Sequence, residues 1–263
     1  MILELSARNP RVADVRRLLR QKAQRRRTSR FVVEGPKLVV EALDSELAVD
    51  HVIVPADVHP DPDIAERCDA SGARLYALDA EAFANLADAK TPQAALAVVE
   101  APSLAFDERF QLESGFVLVL VDVADPGNVG TLLRTAEATG CGGVVLAGAC
   151  ADPLSPKVVR SSAGSILRVP VGEIQGDIVT ELRDRGFTLV VTAMDGDHYD
   201  KTELSRAPTA YLFGNEAHGL DAATTAAADH VIAIPMHGSV ESLNVATAGA
   251  VIAFDRARRD RLV

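Results

Sequence analysis

Six consecutive residues, Phe116-Val-Leu-Val-Leu-Val121, carry no polar side chain. A strand exposed on one face alternates apolar with polar residues. An unbroken run of this length must be covered on both faces, as in a central parallel strand sandwiched by helices. Parallel strands need crossover connections, normally helical. The stretch that follows is helical in pattern from about Asn128 to Thr139, and apolar again from Gly143 to Ala147. The run therefore constrains this half of the chain to an α/β fold. Its length of six also excludes a membrane span, which needs roughly 20 apolar residues.

The alternation continues on both sides. Strands are expected at Thr188–Thr192, Ala210–Phe213 and Val231–Ile234. Helices are expected near Ser155–Ser161, Gly176–Arg185 and Ser242–Arg259. Before the run, strands are read at Phe31–Val33, His51–Val54, Arg74–Ala77 and Ala94–Val99. Helices are read at 11–24, 64–70 and from Pro36, a residue suited to the first helical position, to about Leu43. Residues 101–114 have no clean period and carry a Pro and several charges, so they read as a linker. The expected organisation is a basic arm (1–30), a small α/β domain (31–100), the linker, and a larger α/β domain (115–263). At 263 residues the chain is long enough for two cores.

Charge divides unevenly. The chain carries −10 overall, yet residues 1–30 hold ten basic side chains and only Glu4 and Asp14 as acids. That segment is +8 and the remainder −18. Arg outnumbers Lys 22 to 5 throughout, so the scarcity of balancing acids is the informative part. A basic arm on an acidic body points to a polyanionic partner at one end. Arg16, Arg17, Arg20, Lys22, Arg25, Arg26, Arg27 and Arg30 are the candidates to grip nucleic-acid phosphates. Cys68, Cys141 and Cys150 are too few and too scattered for a disulfide framework or a zinc site, and read as buried hydrophobes. The first residues have no apolar core of signal-peptide length, which makes the cytoplasm the default location.

Ligands of open α/β sheets gather beyond the carboxyl ends of the strands. Three segments sit there. Asp125-Pro-Gly-Asn128-Val-Gly130 leads to Arg134-Thr-Ala after the first strand, with Asn128 the expected helix N-cap. Gly214-Asn-Glu216-Ala-His-Gly219-Leu220 follows Phe213. Pro235-Met236-His-Gly-Ser-Val-Glu241-Ser242-Leu243-Asn244-Val follows Ile234. Gly140-Cys-Gly-Gly143 precedes a strand instead of following one, which is the wrong phase for a dinucleotide fold, and no P-loop is present.

Together these three segments resemble the motifs of the SpoU (TrmH-like) family in the SPOUT superfamily, over residues 116–254. Residues 31–100, opening Phe-Val-Val-Glu-Gly35, resemble the L30e-like substrate-binding domain of its members. The resemblance implies an α/β protein whose C-terminal parallel sheet threads into a trefoil knot, with a smaller L30e-like domain before it. It implies an RNA ribose 2′-O-methyltransferase acting from S-adenosylmethionine with no metal, working as a homodimer through the first-motif helix and the final helix. The cofactor would be held by Ala193, Met194, Gly214, Ile234, Met236 and Leu243. Asn128, Arg134, Glu216, Ser242 and Asn244 would be catalytic. An Arg stays protonated near neutrality, so Arg134 is expected to stabilise the 2′-oxyanion and adjacent phosphate instead of acting as a base. This sequence departs from the family pattern at Ala217 and Ala246, neither of which removes a group expected to react. His218 and His237 are taken as loop residues. Ribosomal RNA of the large subunit is the expected substrate; tRNA, or a non-catalytic RNA-binding role on the same fold, is the alternative.

Overall fold

The structure is a computed structural model that describes residues 2–86, 94–113, 115–202, 207–215, 217–237 and 242–261. Its contacts divide the chain into two units, one of residues 1–102 with 154–167, the other of residues 103–153 with 168–263.

The first unit is built on a five-stranded mixed sheet in the order β1-β4-β3-β5-β2, comprising β1 (Ile2–Leu5), β2 (Arg30–Glu34), β3 (Val49–Pro55), β4 (Arg74–Leu78) and β5 (Leu96–Glu100). β1, β4 and β3 run parallel, while β5 runs antiparallel to both β3 and β2. The basic arm is part of this unit. Helix α1 (Pro10–Arg20) buries Val12, Val15, Leu18 and Leu19 at helical spacing. These pack with Val32, Ile53, Leu78 and Val98 of the sheet. The single helix expected over 11–24 is two. Gln21 is extended (φ −122°, ψ 112°), and α2 (Lys22–Thr28) starts afresh. The break has a partner inside it: Arg25 is buried, and its Nη1 donates to the Leu18 carbonyl at 2.6 Å. A guanidinium thus satisfies a C-terminal carbonyl of α1 that the interrupted helix leaves open. Helices α3 (Pro36–Leu43), α4 (Pro62–Ser71) and α5 (Ala80–Ala84) complete the domain. Helix α7 (Pro156–Ser161) packs on β2. There Arg160 Nη1 meets the buried carboxylate of Glu34 at 3.2 Å.

The second unit has six parallel strands in the order β11-β9-β10-β6-β7-β8. They are β6 (Phe116–Val121), β7 (Val144–Ala147), β8 (Val171–Ile174), β9 (Thr188–His198), β10 (Thr209–Phe213) and β11 (His230–Ala233). The apolar run is β6, buried from Phe116 to Leu120 and flanked by β10 and β7. Each such side chain contributes about 1.5–3 kcal/mol on burial. One face of the sheet packs Val117, Val119, Val145 and Leu189 with Leu182 of α8 (Ile178–Asp184). Helix α6 (Pro126–Thr139) packs against α10 (Val245–Arg261), with the short α9 (Ala222–Ala226) elsewhere in the unit. Gly249 is what permits the α6–α10 approach, since a Cβ there would lie 2.3 Å from Leu132 Cδ2. Residues 103–113, read as linker, are packed: Phe110 is fully buried, and Arg185 stacks 4.3 Å from the Phe106 ring.

Candidate functional site

The three motif segments leave the C-terminal ends of β6, β10 and β11, and side-chain amides fasten them to one another. Asp125, not Asn128, is the N-cap of α6, its Oδ1 accepting from Asn128 N at 3.0 Å. Gly127 sits so close over that carboxylate that a Cβ would fall 2.7 Å from Oδ1. With the cap supplied by Asp125, the Asn128 amide has another use. Its Oδ1 accepts from Asn244 Nδ2 at 3.0 Å, joining segments 116 positions apart. Asn244 Oδ1 in turn accepts from Ala246 N at 2.9 Å and Thr247 N at 3.3 Å, which caps α10.

The second segment is held likewise. Asn215 Nδ2 donates to the Asp122 carbonyl at 3.0 Å, and its Oδ1 accepts from Ala217 N at 2.8 Å. Asn215 and Gly219 exchange both backbone hydrogen bonds, closing a tight loop. A side chain at Gly214 would strike the backbone of Gly219 and Leu220 within 2.5 Å. Asp122 itself is in the left-handed region (φ 55°), unusual for a residue other than Gly. Its Oδ1 accepts from Ala149 N at 2.6 Å. Asn215 carries no role in the sequence reading, and Asp122 reads there only as a helix-capping or surface charge, whereas its carboxylate holds the Ala149 backbone. The signal available was only their place, Asp122 directly after β6 and Asn215 separated from the end of β10 by Gly214. Glu216 lies outside the described residues.

Arg134 is exposed on α6, with no hydrogen bond or ion pair among the described residues. It stands on the same i, i+3, i+6 ridge as Asn128 and Thr131. Ser242 is exposed just before α10.

Five of the cofactor candidates, Ala193, Met194, Gly214, Ile234 and Met236, lie on or just beyond three adjacent strands, β11, β9 and β10, while Leu243 lies just before α10. The strand expected to end at Thr192 continues to His198 with an irregularity: Val231 pairs with Val191, but Ile232 pairs with Asp197. Residues 192–196 are therefore looped out, and they contain Ala193 and Met194. Met194 is 78% exposed and Met236 37%, while Ile234 and Leu243 are half-buried. Met194, in the irregular part of β9, and Met236, just beyond β11, are exposed apolar side chains that suit a ligand with a flat aromatic part and polar edges, as S-adenosylmethionine has. His218 and His237 are exposed loop residues. The cysteines are free, and burial pushes the Cys68 thiol up to about 11 and Cys141 to about 12, so both behave as hydrophobes. Among the described residues no group of three or more His, Cys, Asp or Glu is placed to hold a metal. No helix among them is long and apolar enough to cross a membrane.

The candidate phosphate-binding arginines are not equivalent. Arg16, Arg17, Arg20 and Arg27 are exposed, Arg26 is half-buried, and Arg25 is turned inward under α1 as described. Arg30 is half-buried and bonded to Asp14 and Asp50. Burial removes Arg25 from the set available to a nucleic acid.

Residues 115–254 match the SpoU rRNA Methylase family, and residues 9–97 match the MRM3-like substrate binding domain. The chain is 35% identical over 251 residues to a Bacillus subtilis 23S rRNA guanosine 2′-O-methyltransferase, RlmP, covering 95% of this chain and 96% of that one. An AdoMet-bound rRNA methyltransferase from Sinorhizobium meliloti is similar at TM-score 0.85 and 30% identity, covering 100% of this chain and 99% of that one. The SpoU methyltransferase AviRb of Streptomyces viridochromogenes, solved with AdoMet, is similar at TM-score 0.87 and 29% identity, covering 97% and 99%.

Proposed function

The chain belongs to the SpoU rRNA methylase family, and on that premise we propose that it transfers a methyl group from S-adenosylmethionine to a ribose 2′-oxygen of 23S ribosomal RNA. The observation that carries this reading is the Asn128–Asn244 hydrogen bond, which draws the first and third motif segments into one site beside the second. Near-complete coverage of a 23S rRNA methyltransferase supports the substrate class.

S-adenosylmethionine, when bound, supplies an already electrophilic methyl group. Met194, Met236, Ile234, Leu243, Ala193 and the Gly214 backbone would hold it, a set that fits through the exposed apolar side chains of Met194 and Met236. The chain's own residues have to place the hydroxyl and stabilise charge on its oxygen. Asn128, fastened to the third segment through Asn244, orients the ribose. Arg134 keeps its positive charge and faces the developing 2′-oxyanion and the neighbouring phosphate. Glu216 orients Arg134 or a substrate hydroxyl, and Ser242 bonds the loop or the ribose. Exposed Arg16, Arg17, Arg20 and Arg27 hold the RNA backbone. A homodimer through α6 and α10 completes the assembly; Phe254, 48% exposed on α10, supports it. The trefoil knot expected of the family is consistent with β10 lying between β9 and β6.

The test is transfer of labelled methyl from S-adenosylmethionine to unmodified 23S rRNA and to tRNA, with the product nucleoside identified. Label at a 2′-oxygen in 23S rRNA, lost in Arg134→Ala, is expected. Label in tRNA alone, or none with either RNA, overturns the reading.

A further inference from the structure

The first unit carries a cleft of about 350 Å³, lined by α1, α2 and the first residues of β2 and β3. Its charges are locked in place. Arg30 Nη2 donates to Asp14 Oδ2 at 2.8 Å and its Nη1 to Asp50 Oδ2 at 3.1 Å. Asp14 Oδ1 accepts from Gln24 Nε2 at 3.0 Å, and Gln24 Oε1 accepts from Arg27 Nη2 at 2.7 Å. Arg17 approaches Asp14 at 3.5 Å, and Arg11 lies 5.5 Å over the Tyr76 ring. Ser29, left-handed at φ 48°, turns the chain between Arg27 and Arg30 so that both line the cleft. Four guanidinium groups against two carboxylates leave the lining net positive. Their forks are oriented before any ligand arrives, which is the arrangement that suits a phosphate.

The wall includes His51, only 2% exposed. Its Nδ1 is 3.2 Å from Asp50 Oδ2 but not aligned for a hydrogen bond, and its Nε2 meets no partner. Burial holds its pKa below the ordinary value; Asp50 opposes the shift, while Arg11 and Arg30 add to it. The neutral ring offers one N–H donor and one acceptor. Buried polar groups are normally satisfied, and an exception calls for a reason. The buried imidazole in the wall of this positive cleft is a group that an ion network tying α1 to β2 and β3 leaves unaccounted for.

We propose that this cleft takes one unpaired nucleotide of the RNA substrate, its phosphate on Arg17, Arg27 and Arg30 and its sugar or base edge on His51. The inference rests on the RNA-methyltransferase reading and adds an anchoring pocket distinct from the methyl-transfer loops. Unpaired nucleotides, whose edges and phosphate are both accessible, are the part of RNA such a pocket reads.

The test uses the full chain with ¹⁵N-labelled histidine, titrated with an unmodified 23S rRNA fragment, nucleoside 5′-monophosphates and inorganic phosphate. His51 ring resonances should shift with the RNA. The double variant Arg17→Gln/Arg27→Gln should lose about tenfold or more in RNA affinity, the scale of one specific contact, with S-adenosylmethionine binding unchanged. These two sites are exposed, so the variant does not depend on the tolerance of the buried His51. RNA that binds tightly without moving His51, or binds the double variant equally well, overturns the pocket and leaves the methyltransferase reading standing. A response to mononucleotide or phosphate but not to RNA also overturns it, in favour of a small-molecule site. Absence of RNA binding by the unaltered chain removes both readings.

Discussion

Asn244 performs two tasks that substitution can separate. Its oxygen caps α10 through Ala246 N and Thr247 N, and its nitrogen donates to Asn128 Oδ1. Asn244→Asp keeps a capping oxygen and places a negative charge at a helix N-terminus, favourable by about 0.3–1 kcal/mol. It deletes the donor, so two oxygens face each other unless the Asn128 amide flips. A flip restores the bond but reverses the Asn128 amide and so disturbs the group that orients the ribose. Asn244→Ala loses both tasks: about 1 kcal/mol for the cap and about 1 kcal/mol more for the amide pair, at the low end because the side chain is exposed. In a chain of this size a loss of 1–2 kcal/mol lowers Tm by roughly 2–8 °C. The expected pattern is therefore crossed. Asn244→Ala is less stable and less active; Asn244→Asp is as stable as the unaltered protein, with single-turnover methyl transfer down about 10- to 100-fold. Thermal unfolding by circular dichroism and transfer at saturating S-adenosylmethionine read the two effects. In an Asn128→Ala background the Asp substitution should cost almost nothing further, the signature of a shared interaction. Unimpaired turnover by Asn244→Asp would refute the orienting role, and a Tm as low as that of the Ala variant would refute the cap.

Gly249→Ala should destabilise by about 1–3 kcal/mol despite better helix propensity, because its Cβ meets the buried Leu132 side chain; a raised urea midpoint would contradict this. Gly214→Ala must push the Gly219–Leu220 backbone away, and isothermal titration should show S-adenosylmethionine affinity lower by about tenfold or more; unchanged affinity would dissociate this loop from the cofactor. His51 predicts a pH dependence. Its folded pKa lies below the ordinary value of 6.5, so the unfolded chain binds more protons as the pH drops through and below 6.5. Stability contributed by the neutral ring is complete above that value and declines below it. Urea unfolding between pH 5 and 8 should show a slope that is smaller in His51→Gln; equal slopes would count against it.

Much of the fold was legible because burial on two faces leaves no room for polar residues. The run at 116–121 locates β6, and Pro36 marks the start of α3. What stayed hidden was set by distant contacts. β1 was missed because three of its four residues are exposed and it exists only by pairing with β4. β8, Val-Gly-Glu-Ile, is too short and too interrupted by Gly172 and Glu173 to announce a strand. A count of charges cannot say that Arg25 points inward while Arg27 points out, since that depends on which face of α2 meets the end of α1. The motif loops were legible as positions, but their fastening was not. Asn128 has the ordinary look of a cap, and only the structure shows Asp125 in that role, which frees Asn128 to meet Asn244.

Three amides carry that fastening. Asn128, Asn215 and Asn244 each present a donor and an acceptor in fixed relation, so each can join two segments and set their orientation together. Carboxylates or ammonium groups would attract from any direction and would change with pH. In methyl transfer to a hydroxyl, with the electrophile already activated, the protein's contribution is alignment of the oxygen and a charge near it. Alignment of this kind has to hold to about 0.5 Å. A site assembled from loops 93 and 116 positions apart reaches that tolerance only if the loops are tied to one another as well as to the sheet. The close packing of α10 on α6 at Gly249 belongs to the same requirement, because it fixes the helix that Asn244 caps against the helix that bears Asn128 and Arg134. The residues that determine the rate should thus include some, such as Asn215 and Gly249, that touch neither the methyl donor nor the ribose.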